Sequence, residues 1–216
     1  MRLLAQSSVL KSAALGALLT TLLCLPRLTQ WENRLPVWYL LATLSASSFV
    51  LWAFVFAWHT PCLHRPVFVV KLDLRSWILA SVAGLAVAGI LHFLLDPVFQ
   101  QRTPGDYPTS LAEWFGMTLF ALAFGPLWLT FAPLAWAARL CHRAWLAVVF
   151  TILFDCFVML MKIQSAPTPV PRSVFLELLA LRLVLGAGSV YWYLRGGAWL
   201  VWWWLGLIQA RHLVSL

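Results

Sequence analysis

Long apolar runs separated by short polar segments dominate the pattern of the chain. Most of the runs are roughly 17–22 residues long, the length that a helix needs to cross a bilayer core of ~30 Å. They lack the alternation of apolar and polar residues that marks the strands of a membrane barrel. The pattern predicts an all-α, polytopic transmembrane helix bundle of about seven membrane helices, the last of them short. The predicted spans are Val9–Leu25, Val37–Trp58, Trp77–Leu95, Trp114–Ala138, Trp145–Met161, Val174–Tyr193 and Ala198–Ala210.

The composition agrees with a lipid environment. Of the 216 residues, 62% are hydrophobic and only 10% are charged, whereas a soluble domain has roughly 50% apolar and about 25% charged residues. So few charges cannot cover a surface that faces water, and in lipid every backbone polar group must be satisfied within its own element. We therefore expect residues 1–216 to form a single integral membrane domain. The expected location is the plasma membrane, which is the inner membrane if the cell is bacterial, as a multi-pass protein.

The charge balance does not indicate nucleic-acid binding, although the net charge is +8. The 15 Lys and Arg residues are spread among the predicted loops without a cluster, which is the pattern that orients membrane proteins. Membrane lipids with anionic headgroups are sufficient partners for such a surface. With seven spans, eight of these cations fall on the side of the N-terminus and six on the other. This difference favours a cytoplasmic N-terminus.

No cofactor or metal is expected from the sequence. The four cysteines form no CxxC pair, and Cys62 and His64 have no second ligand pair nearby, so a standard zinc pattern is absent. The chain also has no glycine-rich phosphate loop of either standard kind.

Two charged residues, Asp155 and Arg182, lie near the middle of consecutive predicted spans. A charge at the bilayer centre costs at least ~2.5–3.5 kcal/mol, so it must pair or face a polar cavity. Consecutive helices joined by a short loop are usually antiparallel neighbours, and we predict an ion pair between these two residues. Glu177 lies about 140° around the helix from Arg182, so it needs another partner or interfacial water. The pair either fixes which helices touch or lines a functional site.

Two further residues are candidates for acid–base chemistry. Glu113 precedes the fourth span, where a carboxylate also favours a helix N-terminus. His92 lies near the end of the third span, where a histidine also fits as an interfacial residue bonded to water or backbone. Gly125-Pro126 and Pro133 predict a broken fourth span, and such a break often borders a cavity.

The closing residues 186–199, GAGSVYWYLRGGAW, form a glycine-containing helix followed by an aromatic, basic and glycine-rich turn. This arrangement, followed by a short final helix, resembles the CPBP family of intramembrane glutamic proteases, also called the CAAX-protease and bacteriocin-processing or Abi family. The resemblance covers about residues 112–213, which it implies are a CPBP-like core region.

The catalytic motifs of that family are incomplete in this chain. The family uses a Glu-Glu-x-x-x-Arg motif, a Phe-x-x-x-His motif and a final His-x-x-x-Asn or Asp. Here Glu113 stands alone without the arginine, and Val158 occupies the histidine position after Phe154. GLIQA stands at residues 206–210 in place of the third motif, and His212 is out of register.

The resemblance therefore implies a catalytically degenerate relative that acts by binding a membrane partner, such as a membrane-embedded or lipidated peptide. Two alternatives remain open. One is an active intramembrane protease with an atypical site built from Glu113, Asp155 and His92. The other is a small transporter component that uses the broken fourth span and the Asp155–Arg182 pair.

Overall fold

The fold is a bundle of helices, known from a computed structural model that describes residues 4, 6–30, 35–69, 73–102, 105, 107–164, 171–214 and 216. The described residues contain no strand. The α-helices of this part are α1 (Ser7–Gln30), α2 (Val37–Leu63), α3 (Leu74–Ile90), α4 (Asp96–Arg102), α5 (Leu111–Ala123), α6 (Ala132–Cys141), α7 (Ala144–Gln164) and α8 (Arg172–Ala210).

Two π-helical turns join some of these helices into longer rods. Leu91–Leu95 connects α3 to α4, and Leu127–Phe131 connects the break after α5 to α6. Within the described part, six helical segments are long and apolar enough to cross a membrane. The chain is therefore a multi-pass helical membrane protein. The segments are Ser7–Gln30, Val37–Leu63, Leu74–Gln101, Leu111–Cys141, Ala144–Gln164 and Val174–Leu213.

Several helices run further than the sequence predicts. The first continues through Pro26, and α2 continues through Pro61 to Leu63, followed by His64 as its C-cap with the left-handed φ of 54°. The expected loop after the third span begins instead as helix α4, with Pro97 in its first turn. Pro26 and Pro61 lie in the last two turns of their helices, where each removes one i→i−4 hydrogen bond without ending the helix.

The last predicted break, at Arg195-Gly196-Gly197, is present and falls at Gly197. This residue has φ 68° and ψ −163°, and a Cβ there would collide with the carbonyl oxygen of Val67. Only glycine adopts this conformation readily. The N–H of Ala198 donates to the same carbonyl oxygen at 2.9 Å, so the turn is fixed against the loop after α2.

Beyond Gly197 the chain folds back on the first part of α8. A Cβ on Gly188 would lie 3.0 Å from the ring of Trp204, so this indole packs directly on the backbone of α8. The returning segment also packs on α3, because the indole N–H of Trp203 donates to Ser81 at 2.8 Å. The sequence predicts separate sixth and seventh spans, Val174–Tyr193 and Ala198–Ala210. The structure instead has one 40-residue helical segment, Val174–Leu213, that is broken at Gly197.

The bundle has two ends, which we call end A and end B. End A carries Arg27, Asp96, Glu113 and Arg211, which are joined by ion pairs between helix ends. End B carries the turn at Gly197 and the start of α3. There Asp73 caps α3 by accepting a bond from the Ser76 N–H at 2.9 Å. Hydrogen bonds from Ser76, first from its hydroxyl and then from its N–H, hold the pKa of the Asp73 carboxyl below its usual value.

The centre of the bundle is aromatic. Phe131, on the π-helical turn of the broken span, is fully buried and stacks on Tyr193 of α8 with ring centroids 4.3 Å apart. Trp52 of α2 packs against Phe131 and reaches α1, where its indole N–H donates to Thr20 at 3.0 Å. The broken helix therefore lies in the middle of the core and contacts both α2 and α8.

Candidate functional site

A cavity of about 920 Å³ enters the bundle from end A. Its lining includes Arg27, Lys162 and Arg211 at that end, and Asp155 and Arg182 near the middle of their helices. None of the described cations of end B lines it. The cavity therefore opens toward end A, and its inner part includes the depth of the two intramembrane charges. The described cations of end B include Arg65, Arg75, Arg139, Arg143 and Arg195.

The predicted ion pair forms part of the cavity wall. Arg182 Nε lies 3.3 Å from Asp155 Oδ1, and the Asp155 side chain is only 6% exposed. Gly186 lies one turn after Arg182 on the same face of α8, and a Cβ there would come within 2.9 Å of Asp155 Oδ2. A glycine at this position gives the carboxylate room between α7 and α8. The pair thus joins two helices and also faces the cavity.

Hydroxyl groups supply further polarity to the wall. Thr118, Thr130 and Ser189 line the cavity and are each at most 8% exposed. The Thr118 hydroxyl has no hydrogen-bond partner among the described residues. Gly125 and Pro126 of the broken helix also line the cavity, and a proline cannot donate to the carbonyl four residues earlier. The wall therefore offers groups that can bond to a polar ligand.

Glu113 is engaged in a helix cap at end A. Its Oε2 accepts bonds from the N–H and the hydroxyl of Thr109 at 2.8 and 2.9 Å, while Ser110 accepts from the Glu113 N–H. These reciprocal bonds resemble a capping box. Its Oε1 lies 3.4 Å from Arg27, so it also ties α1 to α5. Glu113 is not among the residues that line the cavity.

His92 lies elsewhere, on the π-helical turn after α3. It lines a separate recess of about 270 Å³ together with Asp96 and Tyr107. Among the described residues no hydrogen bond or ion pair joins His92 to Glu113. The structure therefore brings Asp155 and Arg182 together, but it places Asp155, Glu113 and His92 in three different surroundings.

Glu177 is exposed on the first turns of α8. This position agrees with its expected angular separation from Arg182, which is turned inward and is 31% exposed.

The sequence does not predict the ion pair between Asp96 and Arg211 that the structure contains. Arg211 Nε lies 3.0 Å from Asp96 Oδ2, and the Tyr107 hydroxyl donates to Asp96 Oδ1 at 2.9 Å. This cluster anchors the end of the returning segment to α4. The residues of the pair are 115 positions apart, and their flanking sequences carry no signal of the contact.

The predicted second span ends at Trp58, whereas the next residue, His59, is a core residue of α2. It is 1% exposed, and its ring centroid lies 4.7 Å from that of Tyr193. A signal for this position does exist. Ser48, Trp52 and Val55 precede it at helical spacing, and all four residues face the interior.

Neither a metal cluster nor similarity to a known protein assigns a role to this cavity. Among the described residues, no three His, Cys, Asp or Glu side chains lie close enough together to hold a metal ion. No protein-family model matches the chain, and no curated protein or solved structure is significantly similar to it. The resemblance of residues 112–213 to the CPBP family stays a prediction.

Proposed function

We propose that this protein is a non-catalytic, CPBP-like membrane protein that binds a membrane-embedded or lipidated peptide in the cavity. The observation that carries the proposal is the shape of that cavity. It enters from end A, passes the broken helix and the Asp155–Arg182 pair, and reaches Ser189. We place the protein in the plasma membrane, or in the inner membrane of a bacterial cell, as a partner of membrane lipids.

The lining favours a peptide over a plain hydrocarbon chain. A peptide inside the bilayer must find partners for its backbone N–H and C=O groups. Thr118, Thr130 and Ser189 offer hydroxyls for this purpose, and much of the remaining wall is apolar. Such a mixture of a largely apolar wall with a few placed polar groups is typical of ligand sites. Apolar lining residues include Met117, Phe120, Leu129, Leu181, Leu185 and Leu205.

The positions of Glu113 and His92 support binding without cleavage. A general base must lie within hydrogen-bond reach of the proton that it removes, directly or through one water. Glu113 is held by Thr109 and Arg27 outside the cavity lining, and His92 belongs to another recess. The incomplete motifs in the sequence support the same proposal.

The proposed topology has seven crossings, with the segment after Gly197 as the seventh. Its support is the return of this segment, antiparallel to the first part of α8 and parallel to α3, from the turn at end B to the Arg211–Asp96 pair at end A. The N-terminus then lies at end B. We assign end B to the cytoplasm, because more of the Lys and Arg residues fall on that side.

The proposal can be tested with the full chain in lipid nanodiscs. The probe is a synthetic palmitoylated peptide that carries a diazirine, and the same peptide without the palmitoyl group is the second arm. We expect crosslinks to map to the cavity lining. Ala121→Trp, which fills the cavity, should reduce crosslinking at least fivefold, whereas Ala86→Trp on the exposed face of α3 should leave it unchanged.

Mass spectrometry of the same samples separates binding from proteolysis. The account predicts that the probe peptide stays intact with the wild-type chain and with Glu113→Gln. Cleavage by the wild type that disappears in Glu113→Gln would support the protease alternative. Crosslinking that ignores Ala121→Trp would show that the cavity is not the binding site.

A further inference from the structure

The guanidinium of Arg182 has unused hydrogen-bond donors inside the cavity. Its Nε lies 3.3 Å from Asp155 Oδ1, but no described residue accepts a hydrogen bond from it, and the side chain is 31% exposed. A guanidinium carries five N–H donors, and donors that a protein shields from water normally have partners. Because Arg182 lines the cavity, an acceptor for these donors can come from a molecule inside it.

Three hydroxyls of the cavity wall are also without hydrogen-bond partners among the described residues. They belong to Thr118, Thr130 and Ser189. Several hydroxyls elsewhere in the bundle donate to the carbonyl four residues earlier in their own helix, as that of Thr151 does to Ala147 at 2.8 Å. The cavity therefore combines a cation with hydroxyl donors that the chain itself does not use.

The charges of the cavity lining favour an anion as the group that binds these donors. Among the described residues four cations line the cavity and only one carboxylate does, that of Asp155. Two of the cations pair with Glu113 and Asp96, which lie outside the lining. Positive charge still exceeds negative when these two acids are included, so the path inward from end A attracts an anion. The lining cations are Arg27, Lys162, Arg182 and Arg211.

Given the peptide binding proposed above, on which this inference rests, we propose that Arg182 binds the C-terminal carboxylate of that peptide. The two Nη atoms form an edge of the guanidinium distinct from Nε, and this edge matches a carboxylate in a bidentate geometry. Asp155 then keeps its contact with Nε. A phosphate monoester carries nearly two negative charges at neutral pH, and Asp155 would repel it more strongly than a carboxylate.

The depth of Arg182 sets how much of the peptide enters the cavity. Arg182 lies ten residues after the start of α8, and at ~1.5 Å per residue this is about 15 Å from end A. An extended chain advances ~3.3–3.6 Å per residue, so roughly the last five residues of the peptide lie inside. Their backbone carbonyls are acceptors for the Thr118 hydroxyl, which lies on α5 seven residues after its start.

A fatty acid also carries a carboxylate, but its hydrocarbon chain offers no acceptor to the hydroxyls of the wall. A buried hydroxyl that stays without a partner is costly. The wall therefore favours a peptide, whose backbone supplies carbonyl oxygens along its length, over a fatty acid.

Two forms of the palmitoylated diazirine peptide test the role of the carboxylate with the full chain in nanodiscs. One form ends in a free carboxylate and the other in a carboxamide, and each is titrated to half-maximal crosslinking. We expect the carboxamide to need at least about tenfold more peptide, because a hydrogen bond to a charged group contributes an order of magnitude or more in affinity. Equal half-maximal concentrations would overturn the role of Arg182 alone. Failure of both forms to crosslink would overturn the peptide binding as well.

Variants assign the preference to particular side chains. Arg182→Gln combined with Asp155→Asn removes both charges together, so neither is left without its counter-charge, and the double variant should bind the two forms equally. Thr118→Val should weaken both forms by a similar factor, because its hydroxyl bonds to the peptide backbone. Thr151→Val is the matched control, since the Thr151 hydroxyl bonds within its own helix and does not line the cavity, and it should behave as the wild type.

Competition separates a peptide from a fatty acid as the source of the carboxylate. Palmitate should displace the carboxylate probe at least about tenfold more weakly than the unlabelled peptide does, because it leaves the wall hydroxyls without acceptors. Palmitate that competes as well as the peptide, or a carboxylate preference that persists in the double variant, would overturn the proposal.

Discussion

Two polar pairs inside the bundle join α8 to its neighbours. They differ in whether their polar groups have a partner in the apolar interior. Asp155 and Arg182 compensate each other's charge beside a cavity. His59 and Tyr193 are neutral rings in contact, and their polar atoms have no partner among the described residues. The difference teaches that each charge of the first pair depends on its partner, whereas the second pair is a cost that the fold carries.

The largest effect should come from breaking the charged pair. Asp155→Ala leaves Arg182 without its counter-charge, and removal of one partner of a buried pair costs ~3–5 kcal/mol. Because Arg182 is 31% exposed, we expect a loss at the lower limit of this range, in unfolding measured in mixed micelles of mild detergent and dodecyl sulfate. Asp155→Arg combined with Arg182→Asp should recover about half of the loss. A reversed double variant no more stable than either single variant would show that the pairing is not what matters.

A methyl group beside the same carboxylate should have the next largest effect. Gly186→Ala introduces a Cβ within 2.9 Å of Asp155 Oδ2, and overpacking typically costs about 1–3 kcal/mol. Gly89→Ala is the matched control, because a Cβ at Gly89 meets no atom within 4 Å. The same unfolding assay should show a clear loss for the first variant and none for the second. Equal effects would contradict the close packing of α8 against Asp155.

Replacement of His59 or Tyr193 should change the free energy of unfolding in the opposite direction. Replacement of an unsatisfied buried polar group by an apolar one of similar shape is nearly neutral or stabilising. We therefore expect His59→Phe and Tyr193→Phe to keep or raise the free energy of unfolding by up to about 1 kcal/mol. A loss above about 1 kcal/mol in both variants would show that these side chains have partners that stabilise the fold.

The smallest effects should come from the two glutamates at end A. Glu113→Ala removes a helix cap and an ion pair that is 18–26% exposed, so we expect a loss of roughly 0.5–1 kcal/mol. Glu177→Ala removes an exposed side chain, and changes of this kind are usually within about 0.5 kcal/mol of zero. Thermal unfolding in detergent, followed by circular dichroism, can rank the two. A larger effect for Glu177 would contradict its exposed position.

The features that the sequence predicts well are those set by the membrane itself. The apolar runs indicate the helices, since a bilayer requires continuous stretches of sufficient length. Asp155 and Arg182 had to meet a counter-charge or a polar cavity, and the structure has both. The break at Gly197 could also be expected, because consecutive glycines beside an arginine end a helical pattern.

The features that the sequence misses depend on tertiary contacts. His59 is polar and close to a polar loop, so its burial against Tyr193 follows only once α2 and α8 are packed together. The Asp96–Arg211 pair likewise depends on the return of the chain after Gly197. The cavity arises from the arrangement of several helices and has no local signature beyond the Gly125-Pro126 break.

The most direct measurement of the central claim, a peptide-binding cavity open at end A, is labelling of a single introduced cysteine. In a chain whose native cysteines are replaced by serine, Ala121→Cys lines the cavity and Ala86→Cys faces lipid. The account predicts that a membrane-impermeant, anionic methanethiosulfonate added at end A labels Ala121→Cys but not Ala86→Cys, and that the palmitoylated peptide blocks this labelling. No labelling from end A, or labelling that the peptide leaves unchanged, would contradict it.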